Sequence, residues 1–258
     1  MTILQTIILG IVEGITEFLP ISSTGHLILT SKILRIADSD FLKSFEITIQ
    51  FGAILAVVAL YGKKIFSQGG LWKKVLVAFL PTAIIGFLLY KILKDYLLSN
   101  ANRVVWSLFL GGVALIVFEI WHKKYEKVGV AQISQISYKK SFWVGVWQSL
   151  AIIPGVSRSG ATIVGGLLIG ISREAIVEFS FLLAVPTMAA ATAYDLLKSA
   201  GGFSFSQIHL LVLGFAVSFV VAMMAVTWFI RFVQHHTFLG FGVYRIIAAL
   251  VFFMLLVK

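Results

Sequence analysis

Two short polar stretches interrupt an otherwise apolar chain, and their side chains make up a chemical inventory. The first, EGITEFLPISSTGH at 13–26, holds two carboxylates, a proline, a cluster of hydroxyls, a glycine and a histidine. The second, PGVSRSGAT at 154–162, keeps the hydroxyls, lacks the acids and has Arg158 where the first has Ser23. Glu13 and Glu17 are four residues apart, so both lie on one face of a helix. Ser22, Ser23, Thr24 and Gly25 form a turn whose amides and hydroxyls can cradle an anion, and the same groups would cap the next helix. His26 follows as a candidate acid, base or nucleophile. In the second stretch Ser157, Ser159 and Gly160 repeat the cradle, and Arg158 is the fork-shaped partner for phosphate oxygens. The lesser alternative for Arg158 is an internal counter-ion for Glu13 or Glu17. Anion clamp, nucleophile or base, and carboxylates able to hold a divalent metal together suit phosphoryl transfer. Ser23 is the preferred nucleophile with His26 as its base; the alternative has His26 attacking directly or activating water.

The elements that must position these groups are membrane helices. Of 258 residues, 59% are hydrophobic and 12% charged, and the mean hydropathy is +1.00. Soluble domains carry about 25% charged residues, so the chain is an integral membrane protein. Stretches 75–93, 104–121, 208–230 and 238–257 are each long enough to cross a bilayer, and 45–61 and 176–194 are more polar spans. Cysteine is absent, which excludes disulfides and thiol chemistry. The net charge of +10 fits lysine-rich cytoplasmic loops facing anionic lipid better than nucleic acid.

The polar signature recurs. At a fixed offset Gly10 falls on Gly145, Glu13 on Gln148, Ser22 on Ser157, Thr24 on Ser159 and Gly25 on Gly160. This predicts an all-α membrane protein of two inverted repeats, each a re-entrant helical hairpin plus three transmembrane helices. The first repeat covers 1–121, a basic loop 122–141, and the second repeat 142–258. Segment 26–37 is too short to cross, at ~1.5 Å per residue against a hydrocarbon core of ~30 Å. Three spans per half give the halves opposite orientations, with a functional site where the broken segments meet. Loops 61–74 and 122–141 with Arg173 and Arg231 hold eleven of the 21 lysines and arginines, which places those loops inside and both termini outside. Glu46, Gln50 and Glu178 either support the site or face the interface. Glu119 and His122, His235 and His236 are expected at span ends.

The paired motifs resemble the bacterial undecaprenyl-diphosphate phosphatase family, also called bacitracin-resistance proteins. Its glutamate-rich motif matches Glu13 and Glu17, and its PxSSTGH and PGxSRSGAT segments match 20–26 and 154–162. FEITIQFGAILAV and FSFLLAVPTMAAATAYDLLKS are also similar, so the likeness runs essentially end to end. The resemblance implies hydrolysis of undecaprenyl diphosphate to undecaprenyl phosphate and phosphate, which recycles the lipid carrier for peptidoglycan. It implies a need for Mg2+ or Ca2+, a site open to the extracytoplasmic side of the bacterial inner membrane, and bacitracin resistance. Its partners are then a polyprenyl diphosphate and membrane lipid, with a homodimer left open. The rival reading is a secondary transporter or lipid-carrier flippase, since inverted repeats with broken helices are common there.

Overall fold

In a computed structural model, the structure describes residues 1–67, 70–96, 101–125, 129–153, 155–199 and 207–256. Pro154, Glu126, Lys127 and Lys258 lie outside them. The described chain forms ten α-helices: α1 (Ile3–Thr16), α2 (Ser23–Ile33), α3 (Asp40–Ser67), α4 (Leu71–Tyr96), α5 (Ala101–Tyr125), α6 (Tyr138–Gln148), α7 (Arg158–Leu168), α8 (Arg173–Ser199), α9 (Ile208–Val233) and α10 (Leu239–Leu256). No strand occurs among the described residues; Val130 and Ile171 form a lone bridge. Helices α3, α4, α5, α8 and α9 are long and apolar enough to cross a membrane, and α10 is a shorter apolar helix. The protein is therefore a multi-pass membrane protein, as its composition requires.

The polar stretches break the helical path at the two points where the sequence signature recurs. Helix α1 stops at Thr16, one turn before Pro20, and the chain runs as turns to Ser22. Helix α6 stops at Gln148 and continues as a 3-10 turn to Ile152. Helices α2 and α7 each have eleven residues and begin immediately after a serine cap.

Packing crosses between the halves. Helix α1 lies on α9, α6 on α4, α3 on both α8 and α9, and α5 on α10. Small residues let these backbones approach, the usual means of helix association in lipid. A Cβ on Gly14 would sit 2.7 Å from Val221 Cβ, and one on Gly52 2.6 Å from the Phe215 carbonyl. The central helix is α8, the most buried of the long ones. Its Phe179 and Phe181 pack with Phe18, Phe229 and Phe238 into the main core.

Ion pairs tie the helix ends. Glu119, expected at the interface, is buried instead: it takes both Arg173 terminal nitrogens (2.5 and 3.2 Å) and the Phe238 amide at 2.9 Å. A carboxylate in that position needs partners, and sequence distance hid them. Glu178 pairs with Lys64. His122 stacks on Phe118, while His235 and His236 are exposed as expected.

Candidate active site

Both breaks use one unusual backbone. Ser22 has φ 71° and Ser157 φ 76°, the left-handed region that favours glycine. The Ser22 hydroxyl accepts from the Gly25 amide at 3.4 Å, and Ser157 accepts from Gly160 at 3.1 Å. Each serine thus caps its helix and turns the first amides toward one space. A Cβ on Gly25 would lie 3.3 Å from Ser22 Oγ, and Gly160 stands likewise to Ser157, so both glycines keep the caps clear. The two turns are also joined, because Ser159 donates to the Leu19 carbonyl at 2.6 Å.

Between the turns is a cavity of about 270 Å³, lined by Glu17, Ser22, Ser23, Thr24, Ser157 and Arg158 from the motifs. Gln50, Thr82, Gln148 and Thr187 line it from neighbouring helices. Glu17 is the hinge of the constellation. Its Oε2 accepts from Ser23 Oγ at 2.5 Å, and its Oε1 pairs with Arg158 Nη2 at 3.0 Å. Arg158 also donates through Nη1 to the Ser180 carbonyl at 2.9 Å. Its Nε has no partner and is buried, which leaves one donor of the fork unspent. A hydroxyl bonded to a carboxylate that a guanidinium holds in place is an activated-nucleophile arrangement.

Glu13 is fully buried, and neither carboxylate oxygen has a hydrogen-bond partner. Two orphaned oxygens on the helix face that carries Glu17 fit a hard cation, which binds through oxygen. No group of three or more potential ligands is found among the described residues, so the protein would supply only these two carboxylates.

His26, expected as the base for Ser23, is hydrogen-bonded to other groups. Its Nδ1 is 2.8 Å from the Ser22 carbonyl and its Nε2 2.8 Å from the Tyr244 hydroxyl. A carbonyl only accepts, so Nδ1 carries the proton, and in the neutral ring Tyr244 donates to Nε2. Ring and phenol lie nearly parallel, at 9°. Both ring nitrogens are thus engaged, one on the preceding turn and one on α10. Ser23 is paired with Glu17 instead. Glu13, Gly25, His26, Ser159 and Gly160 do not line the cavity.

The bacitracin resistance protein BacA family model matches residues 6–251. The chain belongs to that family. It is 52% identical over 252 residues to a protein of Aquifex aeolicus (strain VF5), covering 98% of each chain. It is 51% identical to one of Sulfurihydrogenibium sp. (strain YO3AOP1), covering 98% of this chain and 99% of the relative. A Bdellovibrio bacteriovorus protein is 52% identical over 256 residues, with 99% and 97% covered. All three relatives are named undecaprenyl-diphosphatase.

Within this BacA family chain, sequence reasoning missed Thr82 and Thr187 as lining residues and did not place Gln148 there. Gln148 donates to both hydroxyls, at 2.9 and 3.2 Å, and the threonines donate onward to the Gly145 and Leu183 carbonyls. A signal existed. Each threonine directly follows a proline inside a long helix, Pro81 in α4 and Pro186 in α8, where the helical hydrogen bonding is broken and polar groups gather. Glu46 is half-buried and does not line the cavity, whereas Gln50 does.

Proposed function

We propose that this chain hydrolyses undecaprenyl diphosphate to undecaprenyl phosphate and inorganic phosphate, recycling the lipid carrier of cell-wall synthesis. The observation that carries this reading is the Ser23–Glu17–Arg158 constellation in a polar cavity between two serine-capped turns. Membership of the BacA family, with three relatives named undecaprenyl-diphosphatase, supplies the substrate.

The terminal phosphate sits against the amides of α2 and α7, with Arg158 and the Ser22, Thr24 and Ser157 hydroxyls around it. Ser23 gives its proton to Glu17 as its oxygen bonds to the terminal phosphorus. The bond to the bridging oxygen breaks, and Glu17 passes that proton to the departing undecaprenyl phosphate. Glu17 is again a base when water attacks the phosphoserine, and it returns the second proton to Ser23 as phosphate leaves. Mg2+ or Ca2+, held by Glu13 and Glu17, would neutralise charge on the diphosphate.

The architecture that serves this chemistry is two inverted repeats, 1–121 and 142–258, joined by the basic loop 122–141. Each has a re-entrant hairpin (α1–α2, α6–α7) and three spans, six in all with α10. The equal lengths of α2 and α7, their shared cap geometry and the crossed packing of α1 on α9 and α6 on α4 support this. Lysine placement supports an inner-membrane orientation with both termini outside and the site open extracytoplasmically. Bacitracin resistance follows from keeping the carrier as the monophosphate rather than the diphosphate.

The test is phosphate release from purified protein in detergent with undecaprenyl diphosphate and a divalent cation. Catalysis needs no sealed compartment. Release that Arg158→Ala abolishes supports the reading; no release by folded wild-type protein overturns it.

A further inference from the structure

A buried guanidinium lies between the two turns, outside the cavity lining. Arg245 of α10 is 2% exposed. Its Nη1 donates to the carbonyls of Pro20 (3.2 Å) and Val156 (3.1 Å), and its Nη2 to those of Gly155 (2.8 Å) and Ser107 (3.1 Å). Its Nε donates to the Leu108 carbonyl at 3.3 Å. Every nitrogen is bonded and every acceptor is main chain. Among the described residues no carboxylate pairs with it. Helix α5 makes room for it: a Cβ on Gly111 would run into the guanidinium, and one on Gly112 would meet Arg245 Cβ at 3.0 Å.

An unpaired cation at such a depth is costly, and joining α5 to α10 does not require one, since glycine packing already does so elsewhere in the fold. The choice of acceptors suggests more. Three of the five carbonyls belong to the turns just before Ser22 and Ser157. In a trans peptide the carbonyl and the following N–H point in opposite directions, and no cis bond occurs among the described residues. Holding the Val156 carbonyl therefore turns the Ser157 N–H away from Arg245, and Gly155 and Ser157 both line the cavity.

We propose that Arg245 is a positioning residue for the phosphate site: it takes up the carbonyl oxygens of both turns and so holds the two serine-capped helix starts facing one anion. This rests on the phosphatase reading above. Arg245→Lys keeps the charge and loses the fork. Purified in detergent and scored per folded molecule on undecaprenyl diphosphate, it is expected to lose about a hundredfold in kcat, the effect of a ~1 Å misplacement. KM should change little, and inhibition by inorganic phosphate should weaken. A tie that is merely structural would lower the melting temperature and leave kcat and phosphate inhibition unchanged in folded molecules; that result overturns the proposal. If Arg245→Lys does not fold, Gly111→Ala displaces the guanidinium while keeping all five acceptors. The same kcat loss is expected there, and wild-type kcat overturns the proposal. Wild-type protein that releases no phosphate overturns the phosphatase reading instead.

Discussion

Glu17→Gln removes one charge and keeps the shape of the side chain. Glu17 serves two partners through separate oxygens, Ser23 at 2.5 Å and Arg158 at 3.0 Å. An amide has one oxygen and one NH2 to offer them. Turning the NH2 to Arg158 would set donor against donor, so the oxygen goes to Arg158 and the NH2 to Ser23. The Ser23 hydroxyl then accepts, and nothing takes its proton. A general base contributes about 10²–10⁴ in rate, or about 3–5 kcal/mol of barrier. Stability changes less. Breaking a buried pair costs about 3–5 kcal/mol, but here the amide oxygen still accepts from Arg158, so part of that is retained. The side chains of the pair are 5% and 12% exposed, so solvent repairs little of the rest. The expected result is a kcat lowered by about a thousandfold with a modest fall in melting temperature. The assay is phosphate release per folded molecule in detergent. A folded Glu17→Gln variant that keeps more than about a tenth of the wild-type rate would remove Glu17 from the proton transfer.

Arg158→Lys cannot hold the Ser180 carbonyl, Glu17 and an anion with one fork, so phosphate release should fall by about 10²–10³; near-normal release refutes the clamp. Ser23→Ala should abolish turnover and any trapped phosphoenzyme, while His26→Ala should still form phosphoserine; phosphate mapped to His26 would defeat the serine assignment. Glu119→Gln should lower unfolding stability by up to about 3–5 kcal/mol and leave kcat of folded molecules unchanged, a contrast that thermal unfolding and the rate assay read separately. Single cysteines at the exposed Gln132 and Ser39 should respectively resist and accept an impermeant thiol reagent in intact cells. Rapid labelling at Gln132 refutes the orientation.

Helices were legible because apolar runs leave few alternatives, and among the described residues each long apolar stretch lies on a helix. The serine caps were legible too, since SSTG and SRSG place a hydroxyl three residues before a glycine. The pairing of Arg158 with Glu17 appeared in the sequence only as one option among several, because nothing local links residues 141 positions apart. The direction of His26 was not readable at all. It depends on Tyr244, which reaches it from α10, and on the ring folding back to the Ser22 carbonyl. Glu119 looked interfacial by its place near a span end, yet Arg173 and the Phe238 amide bury it. Arg245 lies within the apolar stretch 238–257, but its acceptors are carbonyls, and carbonyls carry no sequence signal.

Ser22 and Ser157 carry the strongest local argument for a shared anion site. Both hold a positive φ that glycine tolerates better than other residues, a sparsely populated conformation costing on the order of 1–3 kcal/mol. A serine cap gains only a few tenths of a kcal/mol over a glycine cap, so capping alone does not offset the strain. On stability alone, glycine is the better residue at both positions. What glycine lacks is a hydroxyl, and both serines line the cavity with Arg158 and Ser23. An observed outlier supports a functional hypothesis when the surroundings hold it in place. Here they do: Ser159 bonds to the Leu19 carbonyl, and Arg245 to those of Pro20, Gly155 and Val156. On the proposed reading, the strain is retained where two hydroxyls and two sets of helix-start amides meet the same phosphate.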